Sequence, residues 1–553
     1  INTFSSTKEI KSILRIIIIL ATLLSLLGLF QYFTNTTPFP FCSRGRAYSI
    51  FITPNTFAAY LNLILPLLFI FFFISEKKKF LLTIILVNWL AFLATQSRSG
   101  YISLFLSLLI ILPFLIRKRK DLPGFSFRFF ILFFALLIST IFFFLQSSIF
   151  MRKDSVPIAI ERSKAIVSPF EASSAQARLK FYKSAIKVIK KYPFSGTGFY
   201  TFHLIYPSVK DPSFRGTTHF YVHNDYLQIF SELGIFGLIS FLSIIFLYLY
   251  FSFSLLKKLP NYHPLPSREG KTEEGAFILI LGTLGGSLSF LIHSFFEFNF
   301  YIMALAMILF FYFALSFIVA KQVGVLKSRG RRGNSYTIKI KPSLKRPLYC
   351  LGLFSFLVVA FFVLCPLLSE IYTNRGNAFF RKGEYKKAEK LLRRALFFCP
   401  LVSNYHTNLA NTYNILGKRE RAEAEYKKGV NLSPYRVRNC ADFGQFYLES
   451  PFEEEREKSI FYLKRATFLD PNCEFYNLRL GIAYKKLKKP KKAIEQFLKY
   501  QRFHPEDLRV KVSLAECYLS SGNKKKTLFY LQEVLSRNPK NRVATSLLER
   551  IRD

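Results

Sequence analysis

The chain has 553 residues, 51% of them hydrophobic and 17% aromatic, with 65 Phe and a formal net charge of +43. Those averages hide two regions: apolar spans joined by basic linkers up to about Leu368, and a charged, periodic stretch from Ser369 on. That pattern excludes a single soluble domain. The charge sits largely in linkers and tail and calls for no nucleic-acid partner, although basic residues on the outer side can meet anionic lipid.

The chain starts at Ile1 without Met, which points to a fragment or a trimmed gene model, with further spans expected ahead of it. Nine apolar stretches, each near the ~20 residues a bilayer needs, cover roughly 13–33, 50–74, 80–96, 99–116, 127–147, 229–256, 276–296, 300–320 and 348–368. The first lacks a small-x-small cleavage site and is no signal peptide. Nine spans put Lys77–Lys79, Arg117–Lys120, Lys257 through Lys271 and Lys321 through Arg346 on one side, with Lys8, Lys11 and Arg15. The positive-inside rule makes that side cytoplasmic. The expectation is an all-α polytopic bundle over 1–368 in the cytoplasmic membrane. Its large loop 148–228, its turns at Arg98 and Glu297, and everything after Leu368 then face outward.

Chemistry-bearing motifs gather on that outer side. Arg46 precedes Thr53-Pro54-Asn55-Thr56-Phe57-Ala58 at the second span. Gln96-Ser97-Arg98-Ser99-Gly100 joins the third span to the fourth. Arg98 there needs an anionic partner, such as Glu232, Glu297 or a substrate phosphate, or else snorkels at the interface. Arg178 opens an amphipathic helix with Leu179, Tyr182, Ile186 and Ile189 on one stripe and Lys180, Lys183, Lys187 and Lys190 beside it. Such a helix can lie on the membrane face or pack against the spans. Lys191 through Phe199 contain Pro193, Gly196 and Gly198. The run Thr218 through Gln228 carries His219 and His223, four apart and on one face if helical. Taken alone, such a pair also suits an interfacial anchor or a packed core. Gly234 and Gly237 follow.

The tail is repetitive. Pro400, Pro434, Pro471, Pro505 and Pro539 recur at intervals of 34, 37, 34 and 34 residues. Gly376, Ala410, Gly444, Gly481 and Ala515 hold the small position of a first helix, and Ala388, Ala422 and Ala493 mark the second. This is the 34-residue tetratricopeptide pattern. It predicts a short α-solenoid over 369–553, with five repeats and a capping helix. The solenoid reads as a rigid spacer or as a concave surface for a protein partner.

Together, in this order and topology, the outer motifs resemble the O-antigen ligase and polymerase family. The resemblance implies transfer of a glycan from an undecaprenyl-pyrophosphate-linked donor to a glycan, lipid or protein acceptor, without metal or other cofactor. It implies catalytic roles for Arg98, Arg178 and His223. It puts Arg46, Asn55, His219, Asn224 and Glu232 in the substrate-binding set. It does not separate ligase from polymerase. The residue types suit that chemistry: guanidinium groups hold phosphate oxygens bidentately as the charged leaving group departs. A neutral imidazole takes the acceptor's proton, and His223 is the candidate base.

Other chemistries fit less well. The outer loops have no Asp-x-Asp for a metal-dependent nucleotide-sugar transferase. Two histidines are too few for a zinc site. Gly196-Thr197-Gly198 lacks the Lys-Ser/Thr of a phosphate loop. The seven Cys show no Cys-x-x-Cys spacing and imply no disulfide framework. A transporter or a non-enzymatic repeat scaffold remain the alternatives of other classes.

Overall fold

A computed structural model describes residues 7–36, 45–74, 78–117, 173–214, 220–259, 272–322, 365–366 and 368–552. The described residues are all helix, turn and loop. Contacts divide the chain into two units, Ile1–Phe202 with Phe220–Arg332, and His203–His219 with Gly333–Asp553.

The first unit contains α1 (Thr7–Thr34), α2 (Pro54–Ile74), α3 (Lys78–Ala94), α4 (Arg98–Arg117), α5 (Ser173–Lys191), and, after α6 (Phe202–Val209), α7 (Asp225–Lys258), α8 (Thr272–His293) and α9 (Met303–Gln322). Six of these are long and apolar enough to cross a membrane: α1, α2, α4, α7, α8 and α9. The chain is a multi-pass membrane protein. The expected third span is α3, whose 17 residues sit at the short limit for crossing. The expected fifth span, 127–147, and nearly all of the ninth, 348–368, lie outside the described residues. So do His219, Cys42 and Cys350.

Helices α2 and α8 form the centre of the bundle. Lipid offers no hydrophobic drive between helices, so close backbone approach has to supply the packing. Gly286 supplies it: a methyl group there would run into the Leu63 carbonyl of α2. Polar side chains fasten the periphery. Ser25 Oγ of α1 donates to Asn88 Oδ1 of α3 at 2.9 Å, and Asn88 Nδ2 donates to Thr22 Oγ1 at 3.2 Å.

The second unit holds the repeats as five helix pairs: α10 (368–381) with α11 (Tyr385–Phe398), α12 (Ser403–Ile415) with α13 (Arg419–Leu432), and α14 (Val437–Leu448) with α15 (Glu453–Leu469). The fourth and fifth are α16 (Glu474–Lys486) with α17 (Pro490–Gln501) and α18 (Leu508–Ser520) with α19 (Lys524–Arg537), and α20 (Arg542–Arg552) closes the stack. The small positions behave as the spacing predicts: Ala388, Ala410, Ala422, Ala493 and Ala515 are fully buried. The longer third interval is absorbed by α15, which has 17 residues against 12 to 14 in α11, α13, α17 and α19. Cys440, Cys473 and Cys517 are buried and Cys399 half-buried.

The turn within a pair uses a left-handed residue. Gly383, Gly417 and Gly522 fill it in three repeats, and Lys488, at φ 53°, fills it in the fourth. A side chain in that conformation costs about 1 kcal/mol, of which glycine's extra chain entropy gives part back. Lys488→Gly should therefore raise the repeat unit's melting midpoint by about 2 °C, read by circular dichroism. A lowered midpoint would contradict this account of the turn.

The loop segment His203–His219 groups with the repeats although its sequence position places it between spans. Its Lys210 is fully buried, with Nζ 2.7 Å from Asp470 Oδ2, and Asn472 Nδ2 donates to the Lys210 carbonyl at 3.2 Å.

Candidate functional site

The site is built around Glu297, in the turn between α8 and α9. The flanking sequence Phe295-Phe296-Glu297-Phe298 is apolar, and the carboxylate is 1% exposed. A buried carboxylate needs partners, and three elements supply them. Arg178 Nη2 of α5 donates to Oε1. Asn55 Nδ2, in the first turn of α2, donates to the same oxygen. His223 Nδ1 lies 3.2 Å from Oε2. Burial would raise the Glu297 carboxyl, but the Arg178 charge and the His223 hydrogen bond outweigh it and hold the group down at about 2.

Arg46 extends the cluster. Its Nη2 donates to Asn55 Oδ1 at 3.1 Å, and its Nε and Nη2 donate to the carbonyls of Thr95 and Gln96 at 2.7 and 3.3 Å. Those carbonyls directly follow α3, so Arg46 holds the tight turn that leads to Arg98. Arg98 is the half-buried first residue of α4. From the other side, Ser99 Oγ lies 2.9 Å from His293 Nε2 at the end of α8.

Local sequence explains how each part is held. On α5 the packed stripe is Phe181, Ser184, Ala185 and Val188, while Leu179 and Ile186 stay exposed. The expected Leu179-Tyr182-Ile186-Ile189 stripe is thus displaced by one residue, because Arg178 must turn toward Glu297. The imidazole of His223 stacks on Phe181, centroids 5.7 Å apart, and meets Phe298 edge-on at 5.2 Å.

His223 and Asn224 form the cap of α7 and stand before its first helical residue, Asp225; the helical condition on the His219–His223 pair is not met at His223, and His219 lies outside the described residues. His223 has φ 58°. Asn224 caps α7, its Oδ1 accepting from Leu227 N at 3.0 Å. Asp225 docks the cap on the next turn, its N–H donating to Ser294 O at 2.9 Å and its Oδ2 accepting from Phe300 N at 3.2 Å. Tyr182 Oη donates to the His223 carbonyl at 3.1 Å.

Glu232 stands in a second cluster. It is fully buried and accepts from Tyr200 N at 2.8 Å, Phe202 N at 3.1 Å, Gln228 Nε2 at 3.2 Å and Tyr301 Oη. It anchors the loop 193–202 and is paired with neither Arg178 nor His223. The two glycine motifs are one structure. Gly198 N donates to Glu232 O at 2.8 Å, Thr197 N to Ser231 O at 3.2 Å, and Ile235 N to Pro193 O at 2.9 Å. Gly196 (φ 64°) and Gly234 (φ 66°) face each other across this join, and a methyl group on either would overlap the opposing backbone.

Four sequence-predicted residues, Arg46, Asn55, Arg178 and His223, therefore come together, with Arg98 in the turn that Arg46 braces. Asn224 and Glu232 serve as cap and loop anchor. Glu297 was expected only as one possible partner of Arg98. His293 and Ser99 carried no signal beyond being polar at span ends. Among the described residues, no three His, Cys, Asp or Glu side chains form a metal-ligand group.

A family model described as O-antigen ligase matches residues 81–242, which contain Arg98, Arg178 and His223. A tetratricopeptide-repeat model matches residues 369–396 and 403–436. No curated protein matches the chain. Solved structures similar to it include a thermophilic TPR protein of Thermus thermophilus, at 25% identity over 32% of this chain and 99% of that one, with a TM-score of 0.26. PilF of Pseudomonas aeruginosa shows 20% identity over 33% and 90%, with a TM-score of 0.29. MamA of Desulfovibrio magneticus RS-1 shows 17% identity over 32% and 97%, with a TM-score of 0.29. The chain carries an O-antigen ligase domain among its membrane helices and tetratricopeptide repeats after it.

Proposed function

We propose that this chain transfers a glycan from an undecaprenyl-pyrophosphate-linked donor to an acceptor hydroxyl at the outer face of the cytoplasmic membrane, without a metal ion. The observation that carries the proposal is the Glu297 cluster, which sets one guanidinium and one imidazole side by side in a ligase-type domain. With Nδ1 donating to Glu297, His223 presents Nε2 as its basic lone pair. The acceptor oxygen attacks the anomeric carbon and gives its proton to Nε2. The bond from that carbon to the pyrophosphate oxygen breaks, and the pyrophosphate leaves with the electron pair.

Arg178 spends one nitrogen on Glu297 and keeps further N–H donors for the leaving phosphates. Arg98, set by the braced turn, is the second phosphate partner. Asn55 and Arg46 hold Glu297 and that turn in register; His219, Asn224 and Glu232 line or shape the acceptor side. The repeats bind the acceptor or a protein partner outside the membrane, because they offer helix-packing residues and no convergent catalytic set.

The test is transfer by the purified full-length protein, with lipid-linked glycan from the source membranes, in excess chelator. Undiminished transfer is the expected result, since cationic side chains take the part a divalent ion plays elsewhere. A strict need for added divalent ion would overturn the metal-free mechanism.

A further inference from the structure

The loop that Glu232 anchors does more than close the chain between α5 and α6. Gly196, Gly198 and Tyr200 all have positive φ, at 64°, 106° and 59°. For Tyr200 that conformation is strained, and strain persists where surrounding structure enforces it. The buried Glu232 enforces it by accepting from Tyr200 N and Phe202 N. The result is that Phe199 and Tyr200 turn outward, 68% and 43% exposed.

Phe199 is not isolated. One face of its ring stacks on Tyr301 at 5.7 Å and 12°. Tyr301 meets Tyr221 at 5.7 Å, and Tyr221 stacks on Phe298 at 4.0 Å and 6°. Phe298 lies against His223. A continuous run of rings thus leads from an exposed aromatic face to the candidate base. Hydroxyls border it: Tyr200 Oη and Tyr221 Oη are 3.3 Å apart.

From this geometry we infer a sugar-binding subsite, in which the exposed face of Phe199 stacks on a pyranose ring of the glycan while Tyr200 and Tyr221 hydrogen-bond its hydroxyls. The face of an aromatic ring is negative, and the axial C–H groups of a pyranose are weakly positive, so the two stack. The bordering hydroxyls, 3.3 Å from each other, can exchange hydrogen bonds with a polyhydroxylated ligand, which a lipid chain cannot offer. The inference rests on the glycan-transfer reading and deepens it: the subsite selects by the sugar and not by the lipid carrier.

The experiment compares two probes on the full-length protein in nanodiscs: undecaprenyl pyrophosphate alone, and the undecaprenyl-pyrophosphate-linked glycan purified from the source membranes. Wild type should bind the glycan-bearing lipid about tenfold more tightly than the bare lipid. Phe199→Ala and Phe199→Leu should erase that preference, with the loss confined to the glycan-bearing probe, and Phe199→Trp should keep it. If Phe199→Leu retains the preference, or if both probes weaken together, Phe199 is a lipid anchor and the subsite is overturned. A wild type with no preference also overturns it. The transfer reading is judged separately, by turnover of wild type against Arg178→Ala, so the two can fail independently.

Discussion

Arg178→Ala and His223→Ala should each lower transfer by about 100- to 1000-fold, the loss typical of removing one preorganised stabilising group, while the protein stays folded in the membrane. Glu297→Gln should fall nearly as far, because the glutamine oxygen can still accept from Asn55 and Arg178 but carries no charge to hold the guanidinium, and the amide nitrogen cannot accept from Nδ1 of His223. Glu297 acts through those two groups, so Arg178→Ala combined with Glu297→Gln should be little worse than the poorer single variant. Additive losses would show that the carboxylate works independently of Arg178. His203→Ala, outside the cluster, should transfer normally. Wild-type rates from both Arg178→Ala and His223→Ala would remove the enzymatic reading of this cluster. The pH dependence carries a sign. The Glu297 carboxyl is held down at about 2 in the folded protein, from an ordinary carboxyl value near ~4.3. Its contribution to stability is complete above that ordinary value and is lost as pH falls toward the folded one. An acid decline in activity above pH ~5 therefore belongs to another group, and should persist in Glu297→Gln.

Gly234→Ala should be the most damaging single methyl in the first unit. It sits at φ 66° inside α7, and its added carbon would overlap the Phe194 carbonyl, which is backbone and cannot swing away. The left-handed strain and the overlap together cost about 3 kcal/mol or more. Gly28→Ala, in the ordinary helix α1, meets first the ring edge of Phe57, a side-chain end that can shift, and should cost about 1 kcal/mol. Thermal unfolding in detergent separates them. Equal midpoints for the two variants would refute the interlock of the glycine motifs.

Much of this was legible in the sequence, and the failures have physical causes. The repeats were legible because their small residues recur at fixed spacing and each is buried for the same reason. The spans were legible from apolar length, and α1, α2, α4, α7, α8 and α9 fall where expected, though α2 begins at Pro54 and not near 50. Arg46, Asn55, Arg178 and His223 were legible as motif positions, but not their meeting on Glu297. That carboxylate is 74 residues beyond His223 in the chain, and no local pattern reports so distant a partner. That His223 stands just outside the helix was illegible for another reason. A cap and a helix both favour a polar run before an apolar one, and only the left-handed turn at His223 tells them apart.

The burial of Lys210 against Asp470 bears on how such proteins can be recombined. A chimera cut at the start of the repeats would leave Lys210 facing a foreign surface. Without an acid at the place of Asp470, a buried ammonium would stand alone, at a cost of about 3–5 kcal/mol. The segment around Lys210 should therefore be moved together with the repeats, and grafts of the repeat array should keep full stability only when that distant piece of the chain is carried across with it.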